Sequence, residues 1–210
     1  MLKWSKAIDI SPLICEQTAV FPGDQKFERS ILMDMQNKDH LTLSSIKSTV
    51  HIGAHTDAPN HYDTNGAGID EVSLEPYLGD CQVIDVSHIK TNLIKPENIK
   101  DKIASPRVLF KTKSFPNPMQ WQNEFFAFAP DTITFLHHHQ VQLVGIDTPS
   151  IDLATSKTLD AHRLVAKYKM SILEGVILDH VDSGAYYLMA LPLKIKNADA
   201  SPVRAILLPK

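Results

Sequence analysis

The sequence predicts a strand-rich α/β fold in a single domain spanning residues 1–210. Three observations carry that expectation. Short apolar runs recur as VLF at 108–110, LVGI at 143–146 and GVIL at 175–178, and each suits a strand buried on both faces. Strand-like segments outnumber helix-like ones and are interspersed with them, so the chain is richer in strand than a doubly wound fold. Thirteen prolines against eight glycines point to many short elements joined by fixed turns.

The elements follow in order from alternation and β-branched content. Strands are expected at Leu41–Val50, Gln82–Val86, Val108–Lys111, Leu143–Ile146, Ile172–Leu178, Tyr186–Leu191 and Val203–Leu208. Three helices are expected between them. Pro96–Ile103 opens with proline at a first-turn position, and Asp131–His139 has Asp131 as an N-cap after Pro130. Leu159–Tyr168 carries Leu164, Val165 and Tyr168 on one face.

Bulk composition narrows the function classes. Hydrophobic residues make up 43% and charged residues 21%, with a formal net charge of −3. That is ordinary for a globular chain. There is no run or stripe of Lys and Arg, so no nucleic-acid partner is expected. No run approaches the roughly 18 apolar residues of a membrane span, and MLKWSKAIDISP lacks the apolar core of a signal peptide. Cys15 and Cys81 form no CxxC pair and read as free thiols in a reducing, cytoplasmic compartment.

One stretch concentrates chemistry. HIGAHTDAPNH, from position 51, holds His51, His55, Asp57 and His61 in eleven residues. Gly53 and Pro59 exclude a single helix and supply turns on which short side chains converge. Imidazole nitrogens with a carboxylate are a common shell for zinc and similar divalent ions, so His51, His55 and Asp57 form the natural ligand set. A set of three leaves an open position, the mark of a catalytic rather than a structural site. His61 then suits proton transfer beside the metal. Two more residues qualify as ligands. His162 lies in the first turn of the helix in TLDAHRLV, and Glu174 enters the apolar run ILEGVILDHV, where a carboxylate needs a partner. His137, His138 and His139 read as a solvated helix end favoured by the dipole, and Asp147 and Asp24 as turn residues.

HIGAHTDAPNHYD resembles the H-x-G-[TA]-H-x-D-x-P-x-H motif of the cyclase-like metal-dependent hydrolases. The likeness extends through DISPLICEQTAVFPGD, LVGIDTPSID, SKTLDAHRLVAKYKMSILEG and MALPLKIKNADASPVRAIL, nearly the whole chain. The combination of GIDTPS, SKTLDAH and ILEG is most like the bacterial kynurenine formamidases within that family. The resemblance implies a swivelling β/β/α domain, a homodimer and two zinc ions per subunit. His51, His55 and Asp57 would hold one ion; Asp57 would bridge to a second held by His162; Glu174 would be shared; His61 would be the acid/base. The implied activity is hydrolysis of N-formyl-L-kynurenine to L-kynurenine and formate in tryptophan breakdown. Where the family commonly has a substrate-lining Trp, this chain has Phe21, which keeps a stacking face but loses area and an N–H donor. Ile52 stands where Thr is common. The alternatives are a cyclase-like hydrolase of another amide, lactone or cyclic imide, or a metal-binding module without catalysis.

Overall fold

Successive side chains of a strand face opposite ways, so an apolar run needs cover on both sides. In the computed structural model, which describes residues 4–210, both sides find it. The strands are β1 (Ile8–Asp9), β2 (Glu28–Met33), β3 (Leu43–Lys47), β4 (His55–Asp57), β5 (Leu78–Asp85), β6 (Leu93–Ile94), β7 (Arg107–Lys111), β8 (Ala127–Phe128), β9 (Leu143–Ile146), β10 (Ser171–Leu173), β11 (Gly184–Met189), β12 (Ala200–Pro202) and β13 (Ile206–Pro209). The helices are α1 (Pro130–His138) and α2 (Asp160–Lys167). Seven strands form one sheet in the order β1-β13-β11-β5-β7-β9-β10. From β5 through β10 the pairing is parallel, and from β5 through β1 it is antiparallel.

The core divides by residue parity. Ile84, Val108, Phe110, Val144, Ile146 and Ile172 face the helices and meet Ile133, Leu136, Ala161 and Val165. Cys81, Val83, Leu109, Leu143 and Leu173 face the other way, against Ile10, Val176, Leu178 and Val181. Each fully buried aliphatic side chain contributes about 1.5–3 kcal/mol, so losing either cover would remove a large share of the stability.

Several elements differ from the expectation. Pro96–Ile103 is no helix beyond one 3₁₀ turn at Pro96–Asn98. The Asn98 side chain accepts from the Lys95 N–H at 2.8 Å, and Ile99 is already extended, so nothing propagates the turn. In α1, Pro130 itself takes the first helical position and Asp131 lies inside the first turn instead of capping it. The strand expected at Ile172–Leu178 stops at Leu173 because Gly175 turns left-handed, at φ 66°. Glu174 therefore stands at the end of a strand, not at its start. Of the Val203–Leu208 segment only Ile206–Leu208 is strand, as part of β13, and β12 precedes it at Ala200–Pro202. Leu41–Val50 contributes only β3, which pairs with β2 in an exposed hairpin.

These breaks position the site. Short β4 is held on two sides: β12 pairs with it antiparallel, and His55 exchanges backbone bonds with Glu174 at 3.0 and 2.9 Å. The end of the central sheet is thereby stitched to the histidine-rich segment.

Candidate metal centre

The four residues of the HIGAHTDAPNH stretch arise from three local structures. His51 lies in the loop before β4, His55 and Asp57 lie on β4, and His61 ends the 3₁₀ turn Pro59–His61. His55 and Asp57 point to the same side, being two apart on a strand. His162 comes from the first turn of α2, and Glu174 from the residue after β10. Two glycines permit the approach. Gly53 is left-handed at φ 60°, and a Cβ on Gly175 would lie 2.2 Å from the Gly53 carbonyl oxygen.

The structure brings all six side chains together around Asp57. His51 Nδ1 stands 3.1 Å and His55 Nε2 3.6 Å from Asp57 Oδ1, while His162 Nε2 stands 3.4 Å from Oδ2. Glu174 repeats the division, with Oε2 3.2 Å from His55 Nε2 and Oε1 3.5 Å from His162 Nε2. His61 packs beside them, its ring 4.3 Å from that of His51 and 6.2 Å from that of His162.

These spacings fit a metal better than they fit hydrogen bonds. Asp57 is buried, yet neither of its oxygens has a partner in hydrogen-bond geometry. An unsatisfied buried carboxylate is costly, so the arrangement calls for a cation. Ligand bonds of about 2.0–2.1 Å at tetrahedral angles put neighbouring ligand atoms roughly 3.3 Å apart, close to the separations observed. His51 with Asp57 and His61, and His55 with Asp57 and Glu174, each have ligand atoms mutually within 4.8 Å.

Each histidine of the cluster core has its other nitrogen occupied. His55 Nδ1 meets the Gly53 carbonyl at 2.9 Å, His162 Nδ1 meets Asp152 at 2.6 Å, and His51 Nε2 meets Asp199 at 2.9 Å. Such contacts fix ring orientation and aim the remaining nitrogen inward. Asp152 also accepts the Ala161 and His162 N–H groups, which anchors the start of α2. The neighbouring Ile151 N–H donates to Glu174 Oε1 at 2.7 Å, so one short segment of TPSID orients two site residues. Asp152 and Asp199 were missed in the sequence, where an isolated Asp ten or more residues from any motif histidine carries no signal.

The charges are strongly coupled. Burial disfavours the Asp57 carboxylate, but His162, His51 and His55 outweigh it and hold the group well below the usual range. Burial also disfavours the His51 cation, yet Asp57 and Asp199 push it up to about 9. Against burial, Asp152 and Asp57 push His162 up to about 10. His61 goes the other way: burial lowers it against the pull of Asp57, and His51 and His162 lower it further.

A cavity of about 440 Å³ opens over the cluster, lined by all six side chains. Phe21 lies at its edge, half exposed, with its ring 5.2 Å from that of Trp121 and edge-on to it. Trp121 was also missed by the sequence reading. Other expected features stay apart. His137, His138 and His139 end α1 in exposed positions, with His137 stacked on Tyr168. Asp147 ties the turn after β7 by accepting the Thr112 and Lys113 N–H groups. Asp24 closes a turn on Phe21.

A kynurenine formamidase of Bordetella pertussis is 45% identical over 201 residues, which cover 95% of this chain and 96% of that one. A solved structure described as a potential metal-dependent hydrolase with cyclase activity is 29% identical, covers 98% of both chains and superposes with a TM-score of 0.86. A predicted metal-dependent hydrolase from Bacillus stearothermophilus is likewise 29% identical over 98% of both chains, with a TM-score of 0.83. Residues 8–153 match the model of the family described as putative cyclase, and on that match together with the 45% identity the chain belongs to the putative cyclase family, among its kynurenine formamidase-like members.

Proposed function

We propose that this protein is a metal-dependent arylformamidase that cleaves N-formyl-L-kynurenine to L-kynurenine and formate. One observation carries the reading: four side chains able to ligate metal, His51, His55, His162 and Glu174, gather around the unsatisfied Asp57 carboxylate, with His61 beside them, under a cavity walled by aromatic rings. The 45% identical relative, itself a kynurenine formamidase, supports the choice of substrate.

In this reading His51, His55 and Asp57 would hold one zinc, Asp57 would reach to a second held by His162, and Glu174 would be shared between them. The two-sided use of both carboxylates, each oxygen near a different histidine, supports a count of two. Bound divalent cations supply Lewis acidity, which lowers the pKa of water and polarises a carbonyl. The chain's own residues do the rest. Asp152, Asp199 and the Gly53 carbonyl keep the histidines aimed. Phe21 and Trp121 take the aryl ring and keep bulk water from that side of the cavity. In the reaction a water oxygen bonds to the formyl carbon, the C–N bond breaks, and a proton from water ends on the arylamine nitrogen. His61 moves that proton, and its lowered pKa keeps the imidazole neutral and able to accept it near pH 7.

The reading also includes a homodimer in the cytoplasm. The exposed hairpin of β2 and β3, which presents Ile31, Leu32, Leu43 and Ile46, offers an apolar surface for a second copy. The free thiols of Cys15 and Cys81 suit a reducing compartment. Among the described residues no helix is long and apolar enough to cross a membrane.

The deciding experiment is a substrate panel on metal-loaded protein, with elemental analysis alongside. Formylkynurenine should be cleaved in preference to simple amides, lactones and cyclic imides, with metal near two ions per chain. Fast turnover of a lactone or imide with formylkynurenine left intact would move the protein to another hydrolase reaction of the family. No turnover of any substrate by loaded protein would leave only a binding module.

A further inference from the structure

The loop after β7 supplies one side of the cavity through Lys113, Phe115, Pro116, Pro118, Trp121 and Phe125. Its three rings stand edge-on, with Trp121 centred 6.2 Å from Phe115 and 6.1 Å from Phe125, and Phe21 meets Trp121 from the opposite segment. Rings so arranged leave faces for a planar aryl group.

Lys113 opens this loop. Its backbone is left-handed at φ 57°, a conformation uncommon for a residue with a Cβ. Asp147 holds it there, with Oδ2 accepting the Lys113 N–H at 3.0 Å and the Thr112 N–H at 2.9 Å. Asp147 Oδ1 takes the Thr112 hydroxyl, so that carboxylate is engaged in the turn itself. The loop is therefore pinned at the residue where it enters the cavity wall.

Among the described residues Lys113 is the one lysine or arginine that lines the cavity; the other charged lining groups are carboxylates and imidazoles. It is exposed, and among the described residues no carboxylate lies within 4.0 Å of its ammonium. Lys111, two residues earlier, is different: it is buried, with its ammonium bonded to the Val181 carbonyl at 2.6 Å. Of the two lysines at the end of β7, one is committed to the fold and the other belongs to the cavity lining, with no ion-pair partner among the described residues.

We propose that Lys113 binds the carboxylate of the substrate's amino-acid tail while Trp121 and Phe21 take its ring, so that this loop selects an aromatic amino acid over the same aryl amide without a tail. The identity of the ligand rests on the formamidase reading above. The division of labour follows from the cavity lining, which joins the metal-ligating groups to the aromatic rings and one lysine of the loop after β7.

The test is calorimetric titration of metal-loaded protein with L-kynurenine and with 2-aminoacetophenone, which has the same ring and ketone but no tail. Wild type should prefer L-kynurenine. Lys113→Gln, which removes the charge and keeps the length, should weaken L-kynurenine roughly tenfold and leave 2-aminoacetophenone unchanged, the usual scale for a lost charged hydrogen bond. Lys113→Arg should retain most of the preference. Higher ionic strength should weaken L-kynurenine alone. A preference that survives Lys113→Gln, equal weakening of both ligands, or no preference in wild type would each overturn the proposal. Turnover of formylkynurenine by wild type is measured separately. Its failure would overturn the formamidase reading, while the binding preference still judges Lys113.

Discussion

Asp57 is the residue on which the proposed site turns. It is buried, carries two oxygens without hydrogen-bond partners, and presents each to a different set of ring nitrogens. His61 packs beside that set and is exposed at the cavity. His61→Ala should keep the metal and lower turnover by about 10²–10⁴-fold, the worth of a general acid or base, as read by steady-state rates beside elemental analysis. Loss of metal with activity would make His61 a ligand instead. Asp152 acts one step further out, through the 2.6 Å contact to His162 Nδ1 and the N–H groups at the start of α2. Asp152→Asn should weaken metal binding by roughly 10–100-fold in a competition titration with a chelator, because the amide orients the ring less firmly. Unchanged affinity would show that α2 alone aims His162.

Elements bring these residues within reach mainly by stopping. β10 ends at Leu173, so Glu174 leaves the sheet and Gly175 turns toward the Gly53 backbone. β4 is only three residues long, held by β12 on one side and by the Glu174 bridge on the other. A side chain at position 175 would combine a disfavoured left-handed backbone with a 2.2 Å clash against the Gly53 carbonyl oxygen. Gly175→Ala should therefore cost at least about 2 kcal/mol, a fall in Tm of roughly 4–8 °C for a chain of this size. It should also separate His55 from Glu174 and reduce metal content. A variant with wild-type Tm would mean that the two segments can part without penalty. The mistaken helix at Pro96–Ile103 belongs to this scale too. Its proline signal was real, but a single turn closed by the Asn98 side chain satisfied it.

At the scale of the whole molecule, the two sides of the seven-stranded sheet are covered by its own helices and loops, but the β2–β3 hairpin is not. Ile46 pairs with Arg29, two residues from Ile31, so Ile31 and Ile46 share one face of the hairpin, with 51% and 70% of their surface exposed. A two-stranded hairpin is marginal by itself, and exposed apolar pairs favour association. Sedimentation should find a dimer for wild type. Replacing both residues together, Ile31→Lys with Ile46→Lys, should yield a monomer. A dimer that persists would put the subunit contact on another face, and a wild-type monomer would remove the homodimer from the functional reading.

The sequence by itself determined the strand-rich α/β class, the buried strands β7 and β9 and the concentration of ligand chemistry in HIGAHTDAPNH, while the parallel pairing came only with the structure. These are local: a buried strand shows as an apolar run, and ligands close in sequence show as a motif. His162 and Glu174 stand out by their chemistry far along the chain, and the family resemblance implies their roles. Only the tertiary structure decided that both stand within 3.5 Å of atoms from the β4 segment. It alone set Asp152 and Asp199 behind the histidines and Trp121 and Lys113 in the cavity wall. Those contacts join residues about 10 to 148 positions apart. They are made when sheet packing, a strand's end and a left-handed glycine bring separate segments together, and none leaves a periodic or compositional trace along the chain.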